Sequence, residues 1–104
     1  MIRTIPMKIY ISLPITGYDL HERKQYAESV KKRLQQVYTD SEIVTPFEIN
    51  PDQELSYAEY MGNDIAALLA SDAVYFCKGW DKSSGCRLEH SAAFEYQISK
   101  FYEP

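Results

Sequence analysis

The feature that most constrains this chain is the regular alternation of short β-rich runs with stretches of helical periodicity. Lys8 to Leu13 reads Lys-Ile-Tyr-Ile-Ser-Leu, a β-rich run stopped by Pro14. Tyr26, Val30, Leu34 and Val37 then recur at helical spacing, with Arg, Lys and Gln between them. Asp19 and Glu22 have the spacing of a capping box, so a helix is expected from about Leu20 to Tyr38. Glu42 to Thr45 reads as a second short strand ending at Pro46, and Phe47 to Leu55 as a loop. Ser56 and Glu59 make another capping box, and Tyr57, Met61, Ile65 and Leu68 mark a helix to about Ala70 that Gly62 and Asn63 weaken in its middle. Ala73 to Cys77 is a third strand, Lys78 to Gly85 a loop, and a third helix runs from near Gly85 to about Ile98. Phe101-Tyr102 is a stub of a last strand.

Alternation at this spacing requires right-handed crossovers and a mainly parallel sheet of four or five strands, an α/β fold. Ligands of such sheets sit beyond the carboxyl ends of the strands. The loops after strands one and three are therefore expected to rim any site. They bring Pro14, Thr16 and Gly17 from the first, and Trp80, Asp81, Ser83 and Gly85 from the second. The whole of residues 1–104 is expected to be one domain, with 1–7 as an N-terminal extension, because a chain of this length can hold one core without staples.

Charge and cysteine usage exclude several classes. A net charge of -4 disfavours a nucleic-acid polymer as partner, since backbone binding needs a basic face. Cys77 and Cys86 fit neither a CxxC redox pair nor a zinc knuckle, and two cysteines make no disulfide framework, which points to a reducing compartment. No apolar run reaches the ~18 residues of a membrane span, and the first six residues are too short for a signal peptide, so a cytoplasmic protein without membrane partners is expected. The glycines form neither a dinucleotide fingerprint nor a Walker loop, there is no serine nucleophile elbow, and His21 and His90 share no metal-ligand spacing. No cofactor and no metal are expected.

The stretch most able to carry chemistry runs from Gly79 to His90. It puts Glu89 in the first turn or two of a helix that follows a strand and a Gly/Ser loop, where the helix dipole stabilises an anion. On that reading Glu89 stays ionised, as a nucleophile needs, or simply complements the dipole. Asp81, in the same loop, is a candidate second carboxylate, since glycosyl transfer needs a pair. Tyr10 and Ser12 alternate with Ile9 and Ile11, so they share one face of strand one; Tyr10 either reaches into the site or packs under a helix. Asp64 interrupts an otherwise apolar helix and is either a site residue or a polar edge. His90 reads as a packing or capping residue.

Three stretches occur in order: Lys8 to Gly17, then Asn63-Asp64-Ile65 with Ala70-Ser71-Asp72-Ala73-Val74, then Gly79-Trp80 with Ser84-Gly85-Cys86-Arg87-Leu88-Glu89-His90. Together they resemble a small phage and bacterial group of uncharacterised function that is itself similar to the nucleoside 2-deoxyribosyltransferase superfamily. The resemblance implies a small three-layer flavodoxin-like or Rossmann-like domain. It also implies cleavage of the N-glycosidic bond of 2-deoxynucleosides or their 5-monophosphates by a glutamate nucleophile. Residue by residue, it implies that Glu89 is the nucleophile, that Tyr10 orients it, that Asp64 is the central-helix aspartate, that Ser83 helps to bind a 5-phosphate and that the loop from Ser12 to Gly17 holds substrate. A homodimer or larger homo-oligomer is implied too, because relatives complete their sites across an interface. The first loop lacks the arginine of the phosphate-binding branch, His90 stands where a small residue is usual, and the C-terminus is short. These departures favour the alternative of a non-catalytic nucleotide-binding or sensing module; a purely structural partner protein is suggested only by the nine tyrosines.

Overall fold

The computed structural model describes residues 6–51 and 54–104. Four strands, β1 (Lys8–Ser12), β2 (Glu42–Val44), β3 (Ala73–Phe76) and β4 (Ser99–Tyr102), form one parallel sheet in the order β2-β1-β3-β4. The expected stub at Phe101-Tyr102 is thus a full strand, completed by Ser99 and Lys100, whose polar side chains hide it from a hydrophobicity reading. The expected N-terminal extension falls mostly on residues 1–5, outside the described residues; Met7, assigned to it, is instead buried in the core and donates its backbone N–H to Ser41 Oγ.

Helix α1 (Leu20–Val37) covers one face of the sheet; α3 (Tyr57–Leu69) and α4 (Ser84–Glu95) cover the other. Against α1 lie Ile9, Ile11, Leu13, Ile43 and Ala73, meeting Ala27, Val30 and Leu34. The apolar stripe of α1 is rotated from its expected course: Arg23, Ala27, Val30 and Leu34 are buried, whereas Val37, its last residue, is 69% exposed. The opposite face buries Tyr10, Val74 and Phe76 under Leu68 and Ala93.

The helix starts follow local chemistry. Asp19 accepts the backbone N–H of Glu22, but Glu22 itself turns to Arg23, so only half of the expected box forms. Ser56 and Glu59 form the reciprocal box. A third box stands at the start of the stretch expected as loop. Thr45 and Glu48 cap a short helix α2 (Pro46–Ile49), with Pro46 in its first turn, where a missing N–H costs nothing. Gly62 does not break α3, which stays continuous through it. Gly79 adopts φ +86 and turns the chain from β3 into a 3-10 turn (Trp80–Lys82), while Pro14 and Tyr18 lie within van der Waals reach of where its Cβ would be. Gly85 lets α4 approach α3: a Cβ there would stand 3.2 Å from the Tyr57 hydroxyl and 3.3 Å from Met61 Sδ.

Candidate active site at the carboxyl edge of the sheet

A cleft of about 660 Å³ opens beyond the carboxyl ends of β1, β2 and β3, within the size range of small-molecule sites. Its floor is polar. Tyr10 points from β1 to the face opposite Ile9 and Ile11, and its hydroxyl donates to Glu89 Oε2; Ser12, two residues on, donates from Oγ to Glu89 Oε1 at 2.7 Å. All three side chains are buried, Glu89 at 4% exposure. Two oxygens held by two hydroxyls from one strand leave the carboxyl little freedom to turn. Asp64, from α3, reaches the same cleft and accepts from Asn50 Nδ2 at 2.7 Å on Oδ1. Tyr10, Asp64 and Glu89 therefore line one cavity.

The electrostatics differ from expectation. Glu89 is the sixth residue of α4, in its second turn. Backbone N–H groups there are taken up within the helix, and the dipole's effect is confined to the first turn. Its donors are hydroxyls from β1. Burial pushes the Glu89 carboxyl up to about 7, against the hydrogen bonds from Tyr10 and Ser12, and the nearby charge of Asp64 adds to the rise. The expected fully ionised Glu89 is thus replaced by a group in mid-titration near neutrality. Burial also raises Asp64, to about 6, with the Asn50 amide pulling the other way. The Tyr10 hydroxyl is held well above its ordinary value, first by burial and then by Glu89, and stays protonated as a donor.

The other sequence candidates divide. Thr16, Ser83 and Gly85 line the cleft and also an adjoining recess of about 480 Å³, whose wall Pro14 shares. Ser12 lies behind Glu89 as its partner. Gly17 forms the turn after β1 at φ +89 and is not in the wall of either space. Asp81, the expected second carboxylate, is exposed on the 3-10 turn and outside both walls, because the turn that follows Gly79 sets Gly79 and Lys82 toward the recess and leaves Asp81 to solvent. Trp80 is outside both walls too: its ring stacks on His90 at 4.3 Å and packs on Phe76. His90, which also hydrogen-bonds the Tyr102 hydroxyl at 2.8 Å, is a packing residue as expected.

A third rim was not foreseen. Thr45, Pro46, Phe47 and Asn50 close the cleft after β2, and α1 and α3 add Lys24, Tyr57 and Met61. The Thr45-Pro46-Phe47-Glu48 capping spacing could have marked this turn as structured; nothing local to Asn50 marks it as a site residue. The first loop carries no arginine, yet Arg23 of α1 braces it, its guanidinium lying between the rings of Tyr18 and Tyr26 at 4.4 and 4.8 Å with Nη1 toward the Pro14 carbonyl. Cys77 and Cys86 are free and buried, and burial raises both thiols, Cys77 to about 12. Among the described residues no cluster of side chains suits a metal ion, and no helix is long and apolar enough to cross a membrane.

Solved structures of other proteins share this fold. A conserved protein from Enterococcus faecalis V583 is 19% identical, with a TM-score of 0.74 over 94% of this chain and 63% of that one. This chain thus spans less than two thirds of that protein's length. A 2-deoxyribosyltransferase from the psychrotolerant bacterium Bacillus psychrosaccharolyticus is 18% identical, with a TM-score of 0.68 over 91% of this chain and 70% of that one. At such identities the likeness is one of fold alone. No curated protein matches the chain. One family model matches residues 7–101, nearly the whole of the fold described above, so the chain belongs to the family described as "Domain of unknown function (DUF4406)".

Proposed function

We propose that this protein is an N-glycosyl hydrolase or transferase acting on 2-deoxynucleosides or their 5-monophosphates, with Glu89 as nucleophile. The observation that carries this reading is the fixed Glu89 carboxyl, gripped by Tyr10 and Ser12, in one cleft with the second carboxyl of Asp64. Glycosyl transfer with retention needs one carboxylate to attack the anomeric carbon and another group to handle the leaving-group proton. Glu89 attacks C1 of the sugar through an oxocarbenium-like transition state. The C–N bond breaks, its electron pair goes to the base, and Asp64 supplies the proton that makes the base a neutral leaving group. Water or a second base then releases the sugar from Glu89, and Asp64 takes up a proton from the incoming group. The adjoining recess with Ser83 and Thr16 gives a 5-substituent somewhere to lie.

Binding without turnover is a second reading, favoured by one observation: Glu89 is 4% exposed and both its oxygens are taken up by the Tyr10 and Ser12 hydroxyls, so the carboxyl is already satisfied within the protein. A panel of deoxynucleosides and their monophosphates, followed for free base, separates the two. Base released by the wild type and not by Glu89→Ala supports the enzyme. Tight binding with no release under any acceptor supports the sensing module.

A further inference from the structure

The side chain that orients Asp64 is itself oriented. Asn50 follows the last turn of α2 and lines the cleft, and its backbone N–H is tied to the Pro46 carbonyl. Its Nδ2 donates to Asp64 Oδ1 at 2.7 Å, while its Oδ1 accepts from Asn63 Nδ2 at 2.9 Å. An amide turned over by half a rotation would set its oxygen against the Asp64 carboxylate, so the ionised Asp64 fixes the orientation of Asn50, and the Asn63 amide completes its hydrogen bonds from the other side. Asn63 is exposed, lies next to Asp64 on α3 and is not in the cleft wall, so it can act on Asp64 only from behind. An oxygen that accepts an N–H is a poor place for a proton, which leaves Oδ2 to hold it.

We propose that Asn50, held by Asn63, is a positioning residue that keeps the acidic hydrogen of Asp64 on Oδ2, from which it passes to the nitrogen of the departing base. This rests on the reading of Asp64 as the acid. The step balances as written: the Oδ2–H bond breaks, a base N–H forms, the C–N bond electrons go to the base, and Asp64 is left as the carboxylate that the Asn50 amide stabilises. The relay therefore favours the product of proton transfer as well as its direction.

The test pairs two leaving groups with three variants. An ordinary purine deoxynucleoside needs a proton on departure; its N7-methylated counterpart already carries the charge and does not. Asn50→Ala is expected to slow release from the first about 10- to 100-fold, less than the roughly 10²–10⁴-fold of a complete loss of acid catalysis because Asp64 itself remains, and from the second less than about threefold. Asn63→Ala is expected to show the same selectivity with a smaller loss. Asn50→Ala with Asn63→Ala is expected to be no worse than Asn50→Ala, because Asn63 works only through Asn50. Carbon-13 NMR of the Asp64 carboxyl checks the same point without turnover: its titration should move upward in Asn50→Ala, because the donor that favours the ion has gone. Equal losses on both substrates, an additive double variant, or an Asp64 titration that does not move would each overturn the relay. Wild type that releases neither base would sink the enzyme reading instead, and the Asp64 titration would still decide whether Asn50 governs that carboxyl.

Discussion

The two faces of β1 make opposite use of the same five residues. Ile9 and Ile11 face α1 and are completely buried among hydrocarbon, each contributing about 1.5–3 kcal/mol by leaving water. Tyr10 and Ser12 face α3 and α4, are just as buried, and spend their hydroxyls on Glu89. One face stabilises the fold. The other holds a carboxyl where burial opposes its charge, the arrangement on which our proposal for Glu89 rests. Burial alone does not distinguish an apolar core from a candidate site; the chemistry of what is buried does.

Breaking the polar face should hit activity hardest. Glu89→Ala is expected to reduce base release on the order of 10⁴-fold or more, with the thermal transition retained, as read by product assay beside calorimetry. The matching break on the apolar face is Ile11→Ala. It should cost about 2–5 kcal/mol in denaturant unfolding and leave kcat of the folded fraction near wild type. If Ile11→Ala instead removes activity at full foldedness, the two faces are not separable.

The two faces also differ in their response to pH. Glu89 is pushed up to about 7 in the folded protein from an ordinary 4.5, so between those values the native state binds the extra proton. Stability from this group is fully present below about 4.5, falls as pH rises through that window, and levels off above about 7. Asp64, raised to about 6, adds to the fall over a lower window. Glu89→Gln removes the larger contribution while keeping the shape, because the Tyr10 and Ser12 hydroxyls can reverse to meet an amide. Its unfolding free energy at pH 8 should exceed wild type by about 3 kcal/mol, with little difference at pH 4. Equal pH slopes in both proteins would mean that the carboxyl is better solvated than its burial implies.

Asp64→Asn should lower release about 10²-fold for a base that needs protonation and hardly at all for one that does not. In the wild type the rate on a base that needs protonation should trace a bell centred between the two raised carboxyls, since Glu89 must be ionised and Asp64 protonated. The limbs belong to the pair and not to either group. The smallest effect expected is that of Gly62→Ala. That glycine lies in the exposed middle of α3, where an added Cβ meets nothing within 4 Å, so the change should stabilise the fold by about 0.5–1 kcal/mol without moving either face's chemistry.

Much of this was legible in the chain because it depends on near neighbours. Alternation of β-rich and helical runs implies a parallel sheet, Ser56 with Glu59 marks a helix start, and period-two spacing along Lys8–Ser12 puts Tyr10 and Ser12 opposite the isoleucines. These rest on backbone sterics and on side chains reaching three or four residues at most. Other features depend on residues brought together from far apart. Tyr10 and Glu89 meet across 79 positions, and Asn50 reaches Asp64 across 14. That Asp64 and not Asp81 shares the cleft follows from the turn at Gly79, and that Glu89 titrates near 7 follows from what is packed around it. A carboxyl's ease of ionisation is set by the water and dipoles that remain after packing, and those exist only once the sheet and its two layers of helices have closed around it.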